Sequence, residues 1–235
     1  MDNVNFVVKP AVQQQKQQPF IVFCLPGPTG GFSGKFFDAF VEIIGYCIRS
    51  NIRFVISRRE SSVVYYVRNM CLGGNNLLGE DQIPFDGKIP YTHLMWIDSD
   101  VIFKPEQLQQ LLDYDRDIVS GIYMMGNGVH FATVEDWSED YFKTHGSFEF
   151  WTEKHIEGRK GLTEVDYTGL GFMLVKHGVF ESIKYPWFRP IFYDIGKAHD
   201  FCSEDVAFCK LAKQAGYKIF VDPTIRVGHE KRVVL

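Results

Sequence analysis

His93-Leu94-Met95-Trp96-Ile97-Asp98-Ser99-Asp100 is the stretch on which the reading of this chain turns. His93–Ile97 is a short, nearly continuous apolar run of strand length, as expected of a strand buried on both faces, and two carboxylates follow it at once. Asp-x-Asp alone is weak, because it recurs as Asp113-Tyr114-Asp115 and Asp115-Arg116-Asp117. Those copies flank the start of the next strand, where acids are ordinary solvated loop residues. Only Asp98 and Asp100 stand directly past a buried strand. Negative charge gathered beside a core is unfavourable without a cation. Oxygen-seeking Mg2+ or Mn2+ would supply one and bridge to a diphosphate. The competing reading is a loop pair that caps the following helix.

Working upstream, Phe20–Leu25 is a second buried-strand run, ending in the glycine-rich turn Pro26-Gly27-Pro28-Thr29-Gly30-Gly31. A helix should follow, with Ser33 as N-cap and Phe36, Phe40, Ile43, Ile44 and Cys47 on one face. Ile52–Ile56 reads as a strand, and Ser61–Leu72 as a helix closed by Gly73-Gly74. Downstream, Pro105 opens a helix to about Tyr114, and Asp117–Tyr123 is a strand. This alternation predicts a parallel α/β sheet. Residues 129–175 mix short strand-like runs with glycines and aromatics. A helix at His177–Ile183, a helix at Ser203–Ala215 stopped by Gly216, and a strand at Tyr217–Val221 complete the order. The expectation is α/β: a Rossmann-like half, residues 20–123, sharing one core with a mixed half, residues 124–235. Residues 1–19, which include Gln13–Pro19, form a lead-in tail without chemistry.

Composition narrows the classes. Among 235 residues, 25 Lys+Arg against 29 Asp+Glu give a net charge of −4. No broad basic field exists, which argues against a nucleic-acid partner. The 21 Phe, 11 Tyr and 4 Trp call for a large core and exclude disorder over most of the chain. The longest apolar run near the start, Phe20–Leu25, is far short of the roughly 20 residues of a membrane span. No basic segment followed by an apolar stretch opens the chain. Five cysteines without a C-x-x-C pair lie in apolar runs and read as reduced. Together these predict a soluble, cytoplasmic protein.

The remaining motifs each carry two readings. The turn after Leu25 is not a Walker loop: Thr29 stands five positions before Gly34, and Phe36 follows Lys35 where Ser or Thr must be. What remains is a tight turn at a strand's carboxyl end, where a nucleotide can lie. Ser203-Glu204-Asp205 opens a helix, either as an N-cap with two dipole-favoured acids or as a general base on a rigid mount. His229 lies just beyond the last strand and matters only if it folds back to Asp100. Gly169 and Gly171 permit close backbone approach by a ligand, or mark a bulge. Trp137, Trp151 and Trp187 stack on a sugar ring or pack the core.

Taken in order, these features resemble a glycosyltransferase of the GT-A fold, of the family-two-like inverting kind. The matching places are the strand with its Pro26-Gly27 turn, Val67-Arg68-Asn69, Leu94–Asp100, Asp117–Tyr123, Thr168-Gly169-Leu170-Gly171-Phe172, and Ser203-Glu204-Asp205 with His229. The resemblance spans residues 20–230. It implies that Asp100 ligates Mn2+ or Mg2+, with Asp98 reaching the ribose or a metal-bound water and His229 as the C-terminal ligand. Asp205 is then the catalytic base, and Glu204 contacts the acceptor. Pro26, Gly27, Arg68 and Ser99 join Asp98 and Asp100 around a UDP- or GDP-sugar. Gly169 and Gly171 lie toward a glycan or glycoprotein acceptor. Gly-Pro-Thr-Gly-Gly stands where many members have a Thr-Tyr-Asn type of turn, which leaves the base open. Short stand-alone enzymes of this kind also occur in phages and large DNA viruses. Two other readings stay open: a sugar-1-phosphate nucleotidyltransferase, which would need a basic glycine-rich loop after the first strand, and a non-catalytic sugar-binding relic.

Overall fold

The apolar run at Phe20 becomes strand β1 (Phe20–Gly27), and every residue of it is buried. The computed structural model describes residues 18–28 and 31–231, so residues 1–17 of the tail expected at 1–19, and Thr29-Gly30 of the turn, lie outside the described residues. Helix α1 (Gly34–Arg49) begins where the Ser33 hydroxyl accepts the Phe36 amide at 3.0 Å, and it buries Phe36, Ala39, Ile43 and Cys47. Strand β2 (Arg53–Glu60) and helix α2 (Val64–Cys71) follow. Next come β3 (His93–Ile97), the short β4 (Val101–Ile102), α3 (Pro105–Tyr114) and β5 (Ile118–Ile122). The second half supplies β6 (Thr133–Val134), α4 (Glu139–His145), α5 (Glu153–Ile156), β7 (Thr163–Val165), β8 (Tyr167–Thr168) and β9 (Phe172–Lys176). A hairpin of β10 (Phe192–Ile195) and β11 (Ala198–Phe201) leads into α6 (Glu204–Gln214), β12 (Ile219–Arg226) and β13 (Gly228–His229).

Seven strands form one sheet in the order β2-β1-β3-β9-β5-β12-β7. β1 pairs in parallel with β2 and β3, and β5 with β12. The sheet is mainly parallel, as the alternation predicts, but β9 enters antiparallel between β3 and β5, and β7 closes the edge antiparallel to β12. Both halves of the chain therefore contribute strands to one sheet.

β3 alternates between two cores, as strand geometry requires. Leu94 and Trp96 enter one with Phe180, Phe188 and Phe208, while Met95 and Ile97 enter the other with Phe36, Leu108 and Phe172. Each fully buried side chain of this kind stabilises the fold by roughly 1.5–3 kcal/mol. Phe180 stacks on Phe208 at 4.9 Å and packs with Trp96 at 6.0 Å, so the sheet and α6 share an aromatic layer.

One element departs from expectation. The helix expected at His177–Ile183 is only a single 3-10 turn, Phe180–Ser182. Gly178 sits at φ +104° before it, and Ile183 is extended after it, so no α-helical run can propagate. The five cysteines carry no disulfide. Among the described residues no helix is long and apolar enough to cross a membrane.

Candidate active site

Asp98 leaves β3 in register with Trp96, on the side where α2 packs. There Arg68 stands with its guanidinium 5.8 Å from the Trp96 ring centre. It meets Asp98 end-on, Nη1 to Oδ1 at 3.0 Å and Nη2 to Oδ2 at 3.1 Å, while Nε donates to Glu204 Oε1 at 3.0 Å. The Arg68 side chain is 4% exposed and that of Glu204 10%. One buried cation thus ties the turn after β3 to the first residue of α6. Burial opposes the Arg68 charge, but the two carboxylates outweigh it and hold the guanidinium protonated. Burial pushes the Glu204 carboxyl above its usual range, with Arg68 opposing and Asp205 adding to the rise.

The Asp98 amide donates to the Gly171 carbonyl at 3.0 Å, and the Gly171 amide to the Tyr123 hydroxyl at 3.2 Å. This explains Gly171: a Cβ there would lie 2.8 Å from the Tyr123 ring. At Gly169 the Tyr123 hydroxyl takes the same space. Both glycines are buried, and what approaches their backbone is Tyr123.

Asp100 is brought to His229 by backbone pairing. β13 lies antiparallel to β4, with His229 opposite Val101, and the Glu230 amide donates to the Asp100 carbonyl at 2.7 Å. His229 Nε2 then stands 3.3 Å from Asp100 Oδ2, and its Nδ1 faces the Met124 carbonyl at 2.8 Å. Nδ1–H donating to Met124 leaves Nε2 as the coordinating nitrogen, the outer-shell arrangement that orients an imidazole ligand. Lys231 Nζ also donates to Asp100 Oδ2, at 2.8 Å. Burial opposes ionisation of Asp100, yet hydrogen bonds and charge from His229 and Lys231 bring its pKa down to about 2. The same bond to Asp100 raises the His229 pKa against burial.

These two donors fit a divalent cation. Neighbouring ligands at about 2.1 Å in an octahedron lie about 3 Å apart, close to the Nε2–Oδ2 separation. Among the described residues no three His, Cys, Asp or Glu side chains gather as a closed metal site. The remaining positions of such an ion therefore belong to water or to a ligand. Asp98 does not share in the pair, because Arg68 engages both its oxygens. Nor do the four acids converge on one cation: Asp98 and Glu204 share Arg68, Asp100 pairs with His229 and Lys231, and Asp205 bonds to Ser203 and Tyr167.

Ser203 occupies the N-cap position of α6, but its side chain makes no capping bond. It donates to Asp205 Oδ1, which also accepts the Val206 amide at 2.8 Å, while Asp205 Oδ2 accepts the Tyr167 hydroxyl at 2.8 Å. Burial and the Asp205 charge raise the Tyr167 pKa far above the phenol range, so Tyr167 remains a donor. Asp205 is held on both oxygens, with Ser203 the one exposed partner.

Pro26, Gly27, Arg68, Asp98, Ser99 and Asp100 all line one cleft of about 220 Å³ at the carboxyl ends of β1 and β3. Gly27 packs there against Ser99, where a Cβ would lie 3.7 Å from the serine's own. A larger cavity, about 770 Å³, lies at the other end of β3 around His93 and Lys176, away from these carboxylates. The smaller cleft stands at strand carboxyl ends, where open α/β sheets bind ligands. Tyr123, Tyr167 and Lys231 bond to Gly171, Asp205 and Asp100 respectively, outside the lining of that cleft, and escaped the sequence reading. Only Lys231, two residues past His229, carried a local signal.

No protein-family model matches the chain, and no curated protein matches it by sequence. Among solved structures it is similar to A197 from STIV, at 18% identity and a TM-score of 0.56, covering 92% of this chain and 87% of that one. It is also similar to GalNAc-T7 with UDP, GalNAc and Mn2+, at 11% identity and a TM-score of 0.54, covering 92% of this chain and 43% of that one. The inositol-1-phosphate CTP transferase from T. maritima superposes at a TM-score of 0.43, too distant to carry an argument. These likenesses show the fold: a mixed α/β GT-A architecture with a large, mostly parallel central sheet.

Proposed function

We propose that this chain is a metal-dependent glycosyltransferase that moves a sugar from a nucleoside-diphosphate sugar to an acceptor hydroxyl with inversion. The observation that carries this reading is the return of β13 to the turn after β3, which sets His229 Nε2 3.3 Å from Asp100 Oδ2 beside a cleft at the strand ends. Residues 20–123 then form the donor half and residues 124–235 the acceptor half. Asp100 and His229 would hold Mn2+ or Mg2+, with Lys231 as the resident counter-charge of Asp100. The ion, when bound, neutralises charge that builds on the departing nucleoside diphosphate.

The chain's own residues do the rest. Pro26, Gly27 and Ser99 shape the cleft for the nucleotide. Arg68 pairs with Asp98 and Glu204 and holds both in place, which leaves Asp98 aimed at the donor and Glu204 at the acceptor. Asp205 accepts the proton of the acceptor hydroxyl, which takes the place of the exposed Ser203 hydroxyl at Oδ1. The acceptor oxygen forms its bond to the anomeric carbon from the face opposite the leaving group, and the bond to the diphosphate oxygen breaks. The turn after β1 has no charged residue before Lys35, so nothing there grips a triphosphate, which separates this reading from nucleotidyl transfer.

A calorimetric screen of UDP-, GDP- and dTDP-sugars with Mn2+ tests the reading. One nucleotide class should bind only with the metal, and Asp100→Ala should weaken that binding at least about tenfold. Metal-independent binding that Asp100→Ala leaves unchanged would sink it.

A further inference from the structure

A third cavity, about 310 Å³, is lined by Tyr167 and by Val206, the residue that follows Asp205 on α6. Its size is at the small end for ligand sites, about 300 Å³, and suits one sugar residue. Tyr167 connects the two places: its ring lines this cavity while its hydroxyl donates to Asp205. The other walls are Trp137, Asp166 and the face of α6 that carries Val206, Lys210, Lys213 and Gln214.

The chemistry of these walls is specific. Trp137 is stacked on Phe148 at 3.6 Å and stands edge-on to Tyr167 at 5.4 Å, so the indole is fixed in place. Its Nε1–H has no acceptor among the described residues, although a shielded indole N–H normally finds one. Lys213 is paired with Asp166, whose other oxygen accepts the Trp137 amide at 2.9 Å. Lys210 is different. Its ammonium stands 5.9 Å from the Trp137 ring centre, at the outer limit of a cation–π contact. Among the described residues no carboxylate forms an ion pair with it. A rigid aromatic wall and an ammonium with no carboxylate partner among the described residues thus line one sugar-sized space near the proposed base, while the Trp137 Nε1–H itself is buried.

We infer that this cavity is the acceptor subsite and that it takes an anionic sugar, its carboxylate or phosphate paired with Lys210 and its ring packed against Trp137. The inference rests on the transferase reading for the word acceptor, but the binding itself does not need a donor.

The test adds methyl glucuronide, glucose 6-phosphate or methyl glucoside to the full chain without nucleotide, read by calorimetry and tryptophan emission. Trp96, Trp151 and Trp187 are fully buried, so Trp137 is the indole a dissolved sugar can reach. One or both anionic sugars should bind at least about tenfold tighter than the neutral one, the equivalent of one charge-assisted hydrogen bond. The emission change should vanish in Trp137→Phe, and the preference for charge in Lys210→Gln. Equal binding of all three sugars, no binding by any, or a preference that survives Lys210→Gln overturns the inference. The nucleotide-sugar screen reads the donor cleft separately, so failure here leaves that result standing and the two readings fall independently.

Discussion

Replacing Arg68 by Met removes the one cation between Asp98 and Glu204 while keeping most of the side chain's volume. The guanidinium is 4% exposed and makes three close contacts of 3.0, 3.0 and 3.1 Å to the two carboxylates. Breaking a buried ion pair by deleting one partner costs about 3–5 kcal/mol, because the other charge stays buried without compensation. For a chain of this size that corresponds to a fall in Tm of roughly 6–20 °C. The sign of the pH dependence follows. Without Arg68 the folded-state pKa of Glu204, which burial raises and Arg68 opposes, stands further above its unfolded value, about 4.3. The penalty is then full at alkaline pH and relieved as protons bind. Burial already lifts Glu204 in the intact protein, so it should be the first to protonate. Urea denaturation of Arg68→Met and the unsubstituted chain at about pH 8 and about pH 5 should show the stability gap narrowing by at least about 1 kcal/mol on acidification. A loss below about 1 kcal/mol, in the range of exposed pairs, or a gap that does not change with pH would refute the buried-clamp reasoning.

Three other outcomes follow from the same site. Gly171→Ala places a methyl group 2.8 Å from the Tyr123 ring, an overpacking cost of about 1–3 kcal/mol. Thermal melts should show part of that loss recovered in the double variant with Tyr123→Leu, whereas strictly additive losses would deny the contact. Mn2+ must displace the proton from His229 Nε2, whose pKa the Asp100 bond raises above the usual imidazole value. Mn2+ affinity by calorimetry should therefore climb by about tenfold per pH unit while His229 is protonated and level off above that, and a flat profile would remove His229 from the site. Lys231→Met frees Asp100 from its ammonium and should tighten Mn2+ binding, an effect a purely structural Lys231 would not produce.

Much of the architecture was legible because it is local. His93–Ile97 and Pro105–Tyr114 form the elements their apolar runs and the N-terminal proline predict, residue for residue. The six residues expected around the donor line one cleft because each sits at a strand end or on the helix beside it. What stayed hidden depends on distant pairing. Phe172–Lys176 shows strand character, but nothing near it says that it enters antiparallel between β3 and β5. Arg68 lies on an apolar-looking helix face, and its second carboxylate, Glu204, is 136 residues away. Tyr123 and Tyr167 read as core aromatics at strand ends, and only the folded chain shows one filling the space over Gly169 and Gly171 and the other holding Asp205. The same holds for the acids: the net charge of −4 does not reveal that Arg68, His229 and Lys231 divide them between separate partners.

The central claim is that Asp205 takes the proton from the acceptor while Asp100 and His229 serve the donor side. Its most direct test is sugar transfer by Asp205→Asn, with Mn2+ and whichever nucleotide sugar the screen selects. A general base contributes about 10²–10⁴-fold to rate. Turnover should fall by that factor while metal-dependent donor binding stays unchanged. Transfer at the unsubstituted rate would contradict the account.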